Sequence, residues 1–414
     1  MRAVIWLVLL FVAAVVAAIT LGANDGLVSL YWRGWRMDLS LNLFLLALLA
    51  GGAVVVSALQ ALRALTRLPQ RAREWRALRR ERAVQAALRQ ALAEFLAARY
   101  TRAQKAAQRA LALRDSTPEG GELELAQLSH LLAAASAHRL QNRAERDEQL
   151  RQALALRRGT GVPRPGDDAA LLLSAEWALD DRDAAQALAL LSELPPGTAR
   201  RTQALRLRLQ AQRLANQPLQ ALPTARLLAK HQGFSKLAAQ GLLRSLAFQA
   251  LEQAHDMDQL EQVWQSFDPA DRRDPFVAAR AAQHAAALGA HGDARGWLRP
   301  LWEQMSELSA DEREQIALAL LHALPGLGAD WLPRLESALQ AYAQEPAVVA
   351  AAGAAFAERQ LWGKARRPLE QSARDARLAP AARRRAWRTL AQLAREEGDE
   401  PRAHQCNELA AALD

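Results

Sequence analysis

Cysteine is the scarcest residue in this sequence of 414 residues, and it occurs once, at Cys406. A single cysteine excludes an intrachain disulfide framework, the C-x-x-C redox motif and the C-x-x-C-H haem-attachment motif. Secreted domains commonly rely on disulfides, whereas cytoplasmic proteins keep their thiols reduced. The cysteine count therefore favours a reducing, cytoplasmic compartment for most of the chain.

The sequence also lacks the short motifs that carry enzyme chemistry. It contains no G-x-G-x-x-G, G-x-x-x-x-G-K-[ST], H-E-x-x-H or G-x-S-x-G. The 8 histidines are scattered; His284 and His291 are seven residues apart, but His291 falls in a predicted turn. His404 and Cys406, two residues apart, would point to different faces of a helix. We interpret both pairs as ordinary residues and predict no catalytic residue, no metal ligand and no enzyme activity.

Excess positive charge is missing from most of the chain, although the net charge is +9. Residues 1–82 hold 11 arginines against 4 acidic residues, whereas the remaining 42 basic and 40 acidic residues nearly cancel. A nucleic-acid-binding protein carries a broad basic patch or stripe, so we predict no nucleic-acid partner. Positive charge beside an apolar segment is instead attracted to anionic lipid headgroups.

Two long runs without any charged residue lie near the amino terminus, at residues 3–23 and 39–62. Each is long enough to cross a bilayer, since ~20 apolar residues suffice as a helix. A cleaved signal peptide is the alternative for the first run, but signals have shorter apolar regions and a clearer small-residue cleavage site. We therefore predict a two-helix transmembrane hairpin at residues 1–66, with a short periplasmic loop at residues 24–38.

Arginine determines the predicted orientation of this hairpin. Eight arginines lie from Arg63 to Arg82, and short basic segments stay on the cytoplasmic side of a membrane. Both termini would then be cytoplasmic, in a bacterial inner membrane, with residues 67–82 as a basic juxtamembrane helix. Aromatic and basic side chains favour the boundary between water and lipid. The predicted membrane-interface residues are Tyr31, Trp32, Trp35, Arg63, Arg67, Arg71 and Arg73.

From residue 83 onward the composition is that of helices, rich in Ala, Leu, Arg, Gln and Glu, without the alternation typical of strands. Small residues recur with spacings of seven and then five. This spacing predicts antiparallel helix pairs that touch at the first and third position and turn at the middle one, where a left-handed residue helps. The copies are Ala91, Ala98, Ala103; Ala282, Gly289, Ala294; Gly353, Gln360, Ala365; and Ala391, Gly398, Ala403.

This pattern resembles the tetratricopeptide repeat. The last copy matches most of the family's consensus positions, through Trp387, Leu390, Ala391, Gly398, Ala403 and Ala410. We therefore predict an all-α protein, in which the transmembrane hairpin is followed by a tetratricopeptide-repeat-like α-solenoid. Its repeats are degenerate over residues 83–270 and clearer over residues 271–414; another copy has Arg146 where a small residue is expected. We interpret the tryptophans as core residues, the alternative being a cofactor-stacking box.

A basic run near the carboxyl terminus, ARRRAWRTLAQLAREEGD, supplies the candidate binding residues. In tetratricopeptide repeats the first helix of each pair lines a concave groove. Mapped on that family pattern, the predicted lining residues are Arg385, Arg388, Gln392 and Arg395. Guanidinium groups in such a row bind carboxylates through paired hydrogen bonds, so an acidic peptide is the predicted ligand. The alternative is a solvated face of the last helix pair.

The first hundred residues resemble the amino-terminal domain of the HemY proteins of proteobacteria. The matching positions are Asn24, Gly26, Val28, Gly34, Ser40, Pro69 and Trp75. Leu27 departs from the family, which usually has an aromatic residue there. The resemblance implies two membrane spans, a cytoplasmic tetratricopeptide body and an association with the late steps of haem biosynthesis. It implies a non-enzymatic scaffold that gathers haem-pathway enzymes or passes porphyrin between them.

Two other interpretations stay open at this level. One is a membrane-anchored adaptor for envelope biogenesis or proteolysis. The other is a direct porphyrin or haem carrier or a cryptic enzyme, although no ligand motif supports a cofactor. The sequence leaves undetermined which proteins are bound, the oligomeric state and the number of repeats in residues 170–270.

Overall fold

The structure is a computed structural model that describes residues 26–114, 122–157, 165–231 and 235–413. It consists of two compact units, residues 1–141 and residues 142–414. The first predicted transmembrane run, residues 3–23, lies outside the described residues. The described chain is helical apart from one β-hairpin, in agreement with the all-α prediction.

The first unit begins with that hairpin and continues into helices. Its elements are β1 (Leu27–Trp32), β2 (Trp35–Ser40), α1 (Leu41–Leu96), α2 (Tyr100–Arg114) and α3 (Glu122–Arg139). The segment that the sequence analysis treated as a loop is thus an antiparallel ribbon. Its two-residue turn is Arg33-Gly34, with φ of 45° and 90°. Two positive φ values in succession match the right-handed twist of the flanking strands, which is why the chain forms a tight hairpin here.

Helix α1 is a single helix of 56 residues. The Ser40 hydroxyl caps it by accepting a hydrogen bond from the backbone N–H of Leu43, at 3.4 Å. Its first part, Leu41–Leu62, is long and apolar enough to cross a membrane, and 0% of its most apolar window is buried. It is the one such helix among the described residues, and the first of the two predicted spans lies outside them. Helix α1 then runs through the predicted basic segment, residues 67–82, and packs against α2 and α3.

The second unit is a succession of helices. They are α4 (Arg143–Arg157), α5 (Pro165–Asp180), α6 (Ala184–Ser192), α7 (Pro196–Ala199), α8 (Thr202–Leu214), α9 (Pro218–Lys230), α10 (Lys236–Glu252), α11 (Met257–Ser266), α12 (Pro269–Arg272), α13 (Pro275–Ala287), α14 (His291–Glu303), α15 (Ala310–His322), α16 (Leu332–Ala341), α17 (Pro346–Glu358), α18 (Trp362–Arg374), α19 (Pro380–Glu396) and α20 (Glu400–Ala411).

The turns between paired helices show the predicted left-handed residue. The middle position of each of the four small-residue copies has positive φ: 57° at Ala98, 85° at Gly289, 57° at Gln360 and 79° at Gly398. The next residue closes the turn by donating to a carbonyl five residues earlier, as Asp399 does to Ala394 at 2.8 Å. This is the Schellman arrangement of helix ends, which satisfies carbonyls that the helix leaves unpaired. The small flanking positions are buried, as a close helix contact requires.

The structure also reveals copies that the sequence analysis did not recognise. Arg182 and Asn216 have φ of 61° and 53° and lie in the same kind of turn. Ala175 and Ala187 flank Arg182 with the same spacings of seven and five, and both are fully buried. Both central residues are large, and Leu209 stands where a small residue would precede Asn216 by seven, so the backbone conformation rather than the composition reveals these turns.

Arg146, which occupies a position where a small residue was expected, is buried and paired. Only 6% of the residue is exposed. Its guanidinium donates to Asp147 at 2.8 Å and to Asp181, in the turn between α5 and α6, at 2.6 Å. A buried cation is tolerated because two carboxylates offset the cost of removing it from water.

Ion pairs between neighbouring helix pairs connect the second unit along its length. Arg244 of α10 donates to Asp274, the cap of α13, at 2.8 Å and covers the Phe276 ring at 4.0 Å. Arg313 of α15 repeats the arrangement with Glu345, through Nε at 2.9 and 3.0 Å, and with the Tyr342 ring. Further pairs join second helices: Arg334 with Glu303, Lys364 with Glu336, and Arg402 with Glu370.

Candidate functional site

The first helices of successive pairs pack side by side in the second unit. Helix α10 contacts α13, α13 contacts α15, α15 contacts α17, and α17 contacts α19. Alanine makes this close approach feasible, and every residue of α17 from Ala347 to Ala357 is buried. We refer to these five helices as the first-helix row. Its last member, α19, carries the arginines that the sequence analysis selected.

The four predicted binding residues lie on one side of α19 at spacings of three and four residues. Arg385 is half-buried, whereas Arg388, Gln392 and Arg395 are exposed. The opposite side of α19 is apolar and packs into the core through Ala386, Trp387, Leu390, Ala391 and Ala394. Within the part of the chain that the structure describes, no carboxylate lies within ion-pair distance of Arg385, Arg388 or Arg395. Glu397 follows α19 but pairs with Arg366 of α18.

Two residues that the sequence analysis did not select, His322 and Glu358, interact electrostatically with Arg385. His322 ends α15 and Glu358 ends α17, so that three consecutive first helices contribute one charged or titratable residue each. His322 is exposed at its surface, but partial desolvation of its imidazole lowers its pKa, and the positive charge of Arg385 lowers this pKa further. Burial likewise lowers the pKa of Arg385, and the Glu358 carboxylate partly offsets this effect. The positions of His322 and Glu358 in the sequence do not predict that they lie near Arg385, because this depends on how the three helices stack.

The connection between α15 and α16 follows His322 directly and is fixed by hydrogen bonds from Arg295 and to Glu358. Arg295 of α14 donates to the carbonyls of Ala323, Pro325 and Gly326 at 2.6, 2.7 and 3.1 Å. The Glu358 carboxylate accepts from the backbone N–H of Gly326 at 3.3 Å. Because these bonds satisfy the carbonyls that follow α15, the connection is held in one conformation next to His322.

The predicted membrane-interface residues belong to the hairpin and to α1. Tyr31, Trp32 and Trp35 are 73–78% exposed. Tyr31 lies on the opposite face of the ribbon from the two tryptophans, which the sequence analysis had grouped with it. The predicted arginines lie in α1 after its apolar part, and their side chains are outside the described atoms: Arg63, Arg67, Arg71 and Arg73.

The other candidate residues of the sequence are accounted for by packing. Trp302 and Trp331 are buried and meet edge to face at 5.9 Å, and Trp264 stacks on Trp297 at 4.8 Å. His404 is exposed and lies 3.3 Å from Glu408, whereas Cys406 is buried, so the two occupy different faces as expected. In the described ranges no three His, Cys, Asp or Glu side chains are grouped as metal ligands.

Comparison with known families identifies the amino-terminal part of the chain. Residues 26–142 match the model described as the HemY protein N-terminus. This segment contains the hairpin, α1, α2 and α3. No curated protein matches the sequence.

Solved structures with similar folds are distant. The structure of Naa15/Naa10 bound to HypK-THB is 16% identical, with a TM-score of 0.25 over 78% of this chain and 52% of that one. The tetratricopeptide-repeat domain of P58(IPK) is 10% identical, with a TM-score of 0.21 over 80% of this chain and 98% of that one. This chain thus spans about half the length of the Naa15/Naa10 chain that it matches. At such TM-scores neither likeness carries an argument about this protein. The family match does, and the predicted resemblance is confirmed for the segment that it covers: residues 26–142 match the HemY amino-terminal domain.

Proposed function

We propose that the protein is a membrane-anchored scaffold that acts by binding other proteins, without catalysis of its own. Its apolar helix segment holds it in a bacterial inner membrane, with the helical pairs on the cytoplasmic side. Its first-helix row binds an acidic segment of a partner. The partners are enzymes of haem biosynthesis, the process with which the HemY resemblance associates the chain.

The membrane anchor is supported by the apolar part of α1. The 22 residues of Leu41–Leu62 span roughly 33 Å at 1.5 Å per residue, close to the thickness of a bilayer core. Because their side chains are uncovered in the described chain, water would be an unfavourable environment for them. The basic residues that follow on the same helix favour a cytoplasmic position and an anionic lipid surface.

The binding surface is supported by Arg385, Arg388 and Arg395 of α19, which have no ion-pair partner among the described residues, and this observation carries the proposal. Arg385, Arg388 and Arg395 place three positive charges on one side of α19, and Arg385 is partly removed from water without an ion pair among the described residues. A carboxylate from a partner would offset the cost of burying Arg385. Arginine forms two parallel hydrogen bonds with a carboxylate, so several arginines in line select an acidic segment over a neutral one.

The test is capture of membrane partners by the double variant Arg388→Glu/Arg395→Glu of the full chain, followed by mass spectrometry. Arg388 and Arg395 are exposed, and an exposed ion pair contributes up to about 1 kcal/mol, so the loss of two is expected to weaken capture up to about thirtyfold. The matched control is Arg102→Glu/Arg109→Glu in α2, which makes the same charge change at the same spacing of seven residues on another exposed surface.

Recovery of haem-pathway enzymes with the wild type and the control, but not with the α19 variant, would support the proposal. Equal capture by both variants, with an unchanged melting temperature, would leave the α19 arginines as a solvated face. Capture of envelope or proteolysis proteins alone would keep the binding surface and overturn the assignment to haem biosynthesis.

A further inference from the structure

The β-hairpin has two faces of opposite character, and its register defines them. Directly opposed residues of an antiparallel pair lie on the same face, and faces alternate along each strand. One face carries the pairs Val28 with Leu39, Leu30 with Met37, and Trp32 with Trp35. The other face carries the pairs Leu27 with Ser40, Ser29 with Asp38, and Tyr31 with Arg36. The first face is wholly apolar, and the second is mainly polar.

The polar face satisfies its own hydrogen-bonding groups. The Ser29 hydroxyl donates to Asp38, and Arg36 Nε donates to the same carboxylate at 3.1 Å. The Arg36 guanidinium lies 5.8 Å from the centre of the Tyr31 ring. Tyr31, Arg36 and Asp38 are exposed and Ser29 is half-buried, and their hydrogen-bonding groups find partners within the hairpin or in water.

Toward the turn, the apolar face is left uncovered by the described chain, whereas Val28 and Leu39 are half-buried. The exposed fraction is 78% for Trp32, 76% for Trp35, 58% for Met37 and 40% for Leu30. A contiguous apolar face of this kind marks a contact with another apolar phase or surface. The position of the hairpin in the chain indicates which phase this is.

No linker separates the hairpin from the candidate membrane span. β2 ends at Ser40 and α1 begins at Leu41, whose backbone N–H donates to the carbonyl of Gly26 at 2.8 Å. This bond ties both ends of the hairpin to the first turn of the apolar helix. If Leu41–Leu62 crosses a bilayer, the hairpin is therefore held at the surface of that bilayer.

We propose that the apolar face of the hairpin lies in the interfacial layer of the lipid bilayer, with the polar face toward water. The inference rests on the membrane anchor of the proposed function, and it is independent of the α19 arginines. Tryptophan favours this layer because its ring is apolar and its N–H is polar. The outer edges of a two-stranded ribbon carry backbone groups without partners, so the ribbon cannot enter the hydrocarbon core and stays at its boundary.

The test places a fluorophore on each face of the full chain, reconstituted in phosphatidylcholine and phosphatidylglycerol vesicles. In a Cys406→Ala background, Leu30→Cys and Met37→Cys label the two members of an apolar pair. Tyr31→Cys and Arg36→Cys are the matched controls, because they label the neighbouring pair on the polar face. Each site carries an environment-sensitive nitrobenzoxadiazole dye and is exposed to nitroxide-labelled lipid and to iodide in water.

The expected result is a blue-shifted dye at positions 30 and 37, quenched several-fold more by the nitroxide lipid than by iodide, with the reverse order at positions 31 and 36. Equal access of iodide to both faces would overturn the proposal. Protection from both quenchers at positions 30 and 37 would also overturn it, because protein rather than lipid would then cover the face. Flotation of the chain with the vesicles is measured first. Failure to float contradicts the membrane anchor itself, whereas flotation with equal quenching contradicts the hairpin placement alone.

Discussion

At Gly353 of α17, a single hydrogen atom occupies a position where a methyl group would not fit. An added Cβ would lie 3.0 Å from both the backbone nitrogen and Cγ of Leu369 and 3.1 Å from Cβ of Pro368, all in α18. The small residue that the sequence analysis placed at the helix contact is thus required by the distance between the two helices. Gly363, at the start of α18, has no atom within 4 Å of the same added Cβ.

This difference leads to a prediction for two glycine-to-alanine substitutions. Gly353→Ala is expected to destabilise the protein by about 1–3 kcal/mol, because backbone atoms of α18 must move to accommodate the methyl group. Gly363→Ala is expected to be neutral or slightly stabilising, because alanine favours the helix and meets nothing. Chemical denaturation of the two purified variants measures the difference. An equal effect of both changes would contradict the packing described for Gly353.

His322 provides a second prediction at the residue scale. Its pKa is lowered in the folded protein by partial desolvation of its imidazole and by Arg385, so the unfolded chain binds the proton more tightly. The folded protein is therefore most stable above the pKa of about 6.5 that His322 has in the unfolded chain. It loses this contribution to the free energy of unfolding as the pH falls through the lower pKa of His322 in the folded state. Removing the positive charge by Arg385→Gln is expected to raise the pKa of His322.

The measurement is an NMR titration of the histidine-labelled full chain in detergent, with His322→Gln to assign the signal. Arg388→Gln serves as the control, because Arg388 is not among the groups that shift the pKa of His322. A rise in both variants, or in neither, would show that Arg385 does not act on His322.

At the scale of elements, the helix pair is defined by its turn. The turn residue is in the left-handed conformation whether or not it is glycine. It is glycine at Gly289 and Gly398, and it carries a side chain at Ala98, Arg182, Asn216 and Gln360. A residue with a side chain is strained in this conformation by roughly 1–2 kcal/mol, whereas glycine is not. These non-glycine turns persist because the residues seven before and five after each of them are buried in the helix contact.

A reciprocal exchange tests this account of the turns. Gln360→Gly is expected to stabilise the protein by up to about 1 kcal/mol, because the relief of strain exceeds the entropy that glycine adds to the unfolded chain. Gly398→Gln is expected to destabilise it by a similar amount, since its left-handed φ is retained. Thermal melting of both variants provides the measurement, and a loss of stability in Gln360→Gly would argue against strain at that turn.

At the scale of the whole molecule, α1 connects a candidate membrane span with helical pairs through one continuous helix. The arginines after the span predict its orientation, because basic segments are retained on the cytoplasmic side. Reporter fusions at Trp35 and at the carboxyl terminus are therefore expected to give opposite results. Alkaline phosphatase should be active at Trp35 only, and a fluorescent protein should mature at the carboxyl terminus only. An exported carboxyl terminus would overturn the proposed scaffold, since its partners would lie on the other side of the membrane.

The sequence by itself determined the helix pairs, because the seven-and-five spacing of small residues follows directly from two helices in close contact. It also determined that the α19 arginines share one side of a helix, since spacings of three and four residues place side chains on the same face. The hairpin could have been recognised from the alternation of apolar and polar residues around Arg33-Gly34. It was missed because the segment was interpreted through the apolar runs beside it.

Only the tertiary structure decided which charges are paired. Glu397 is adjacent in sequence to the α19 arginines, yet it pairs with Arg366 of another helix. Arg385 interacts electrostatically with His322 and Glu358 only because α15 packs on α17 and α17 packs on α19. Such contacts join residues one or two helix pairs apart, and their geometry depends on the packing of every helix between them. Local periodicity determines which face a residue occupies, whereas the stacking of helices determines which residue it meets.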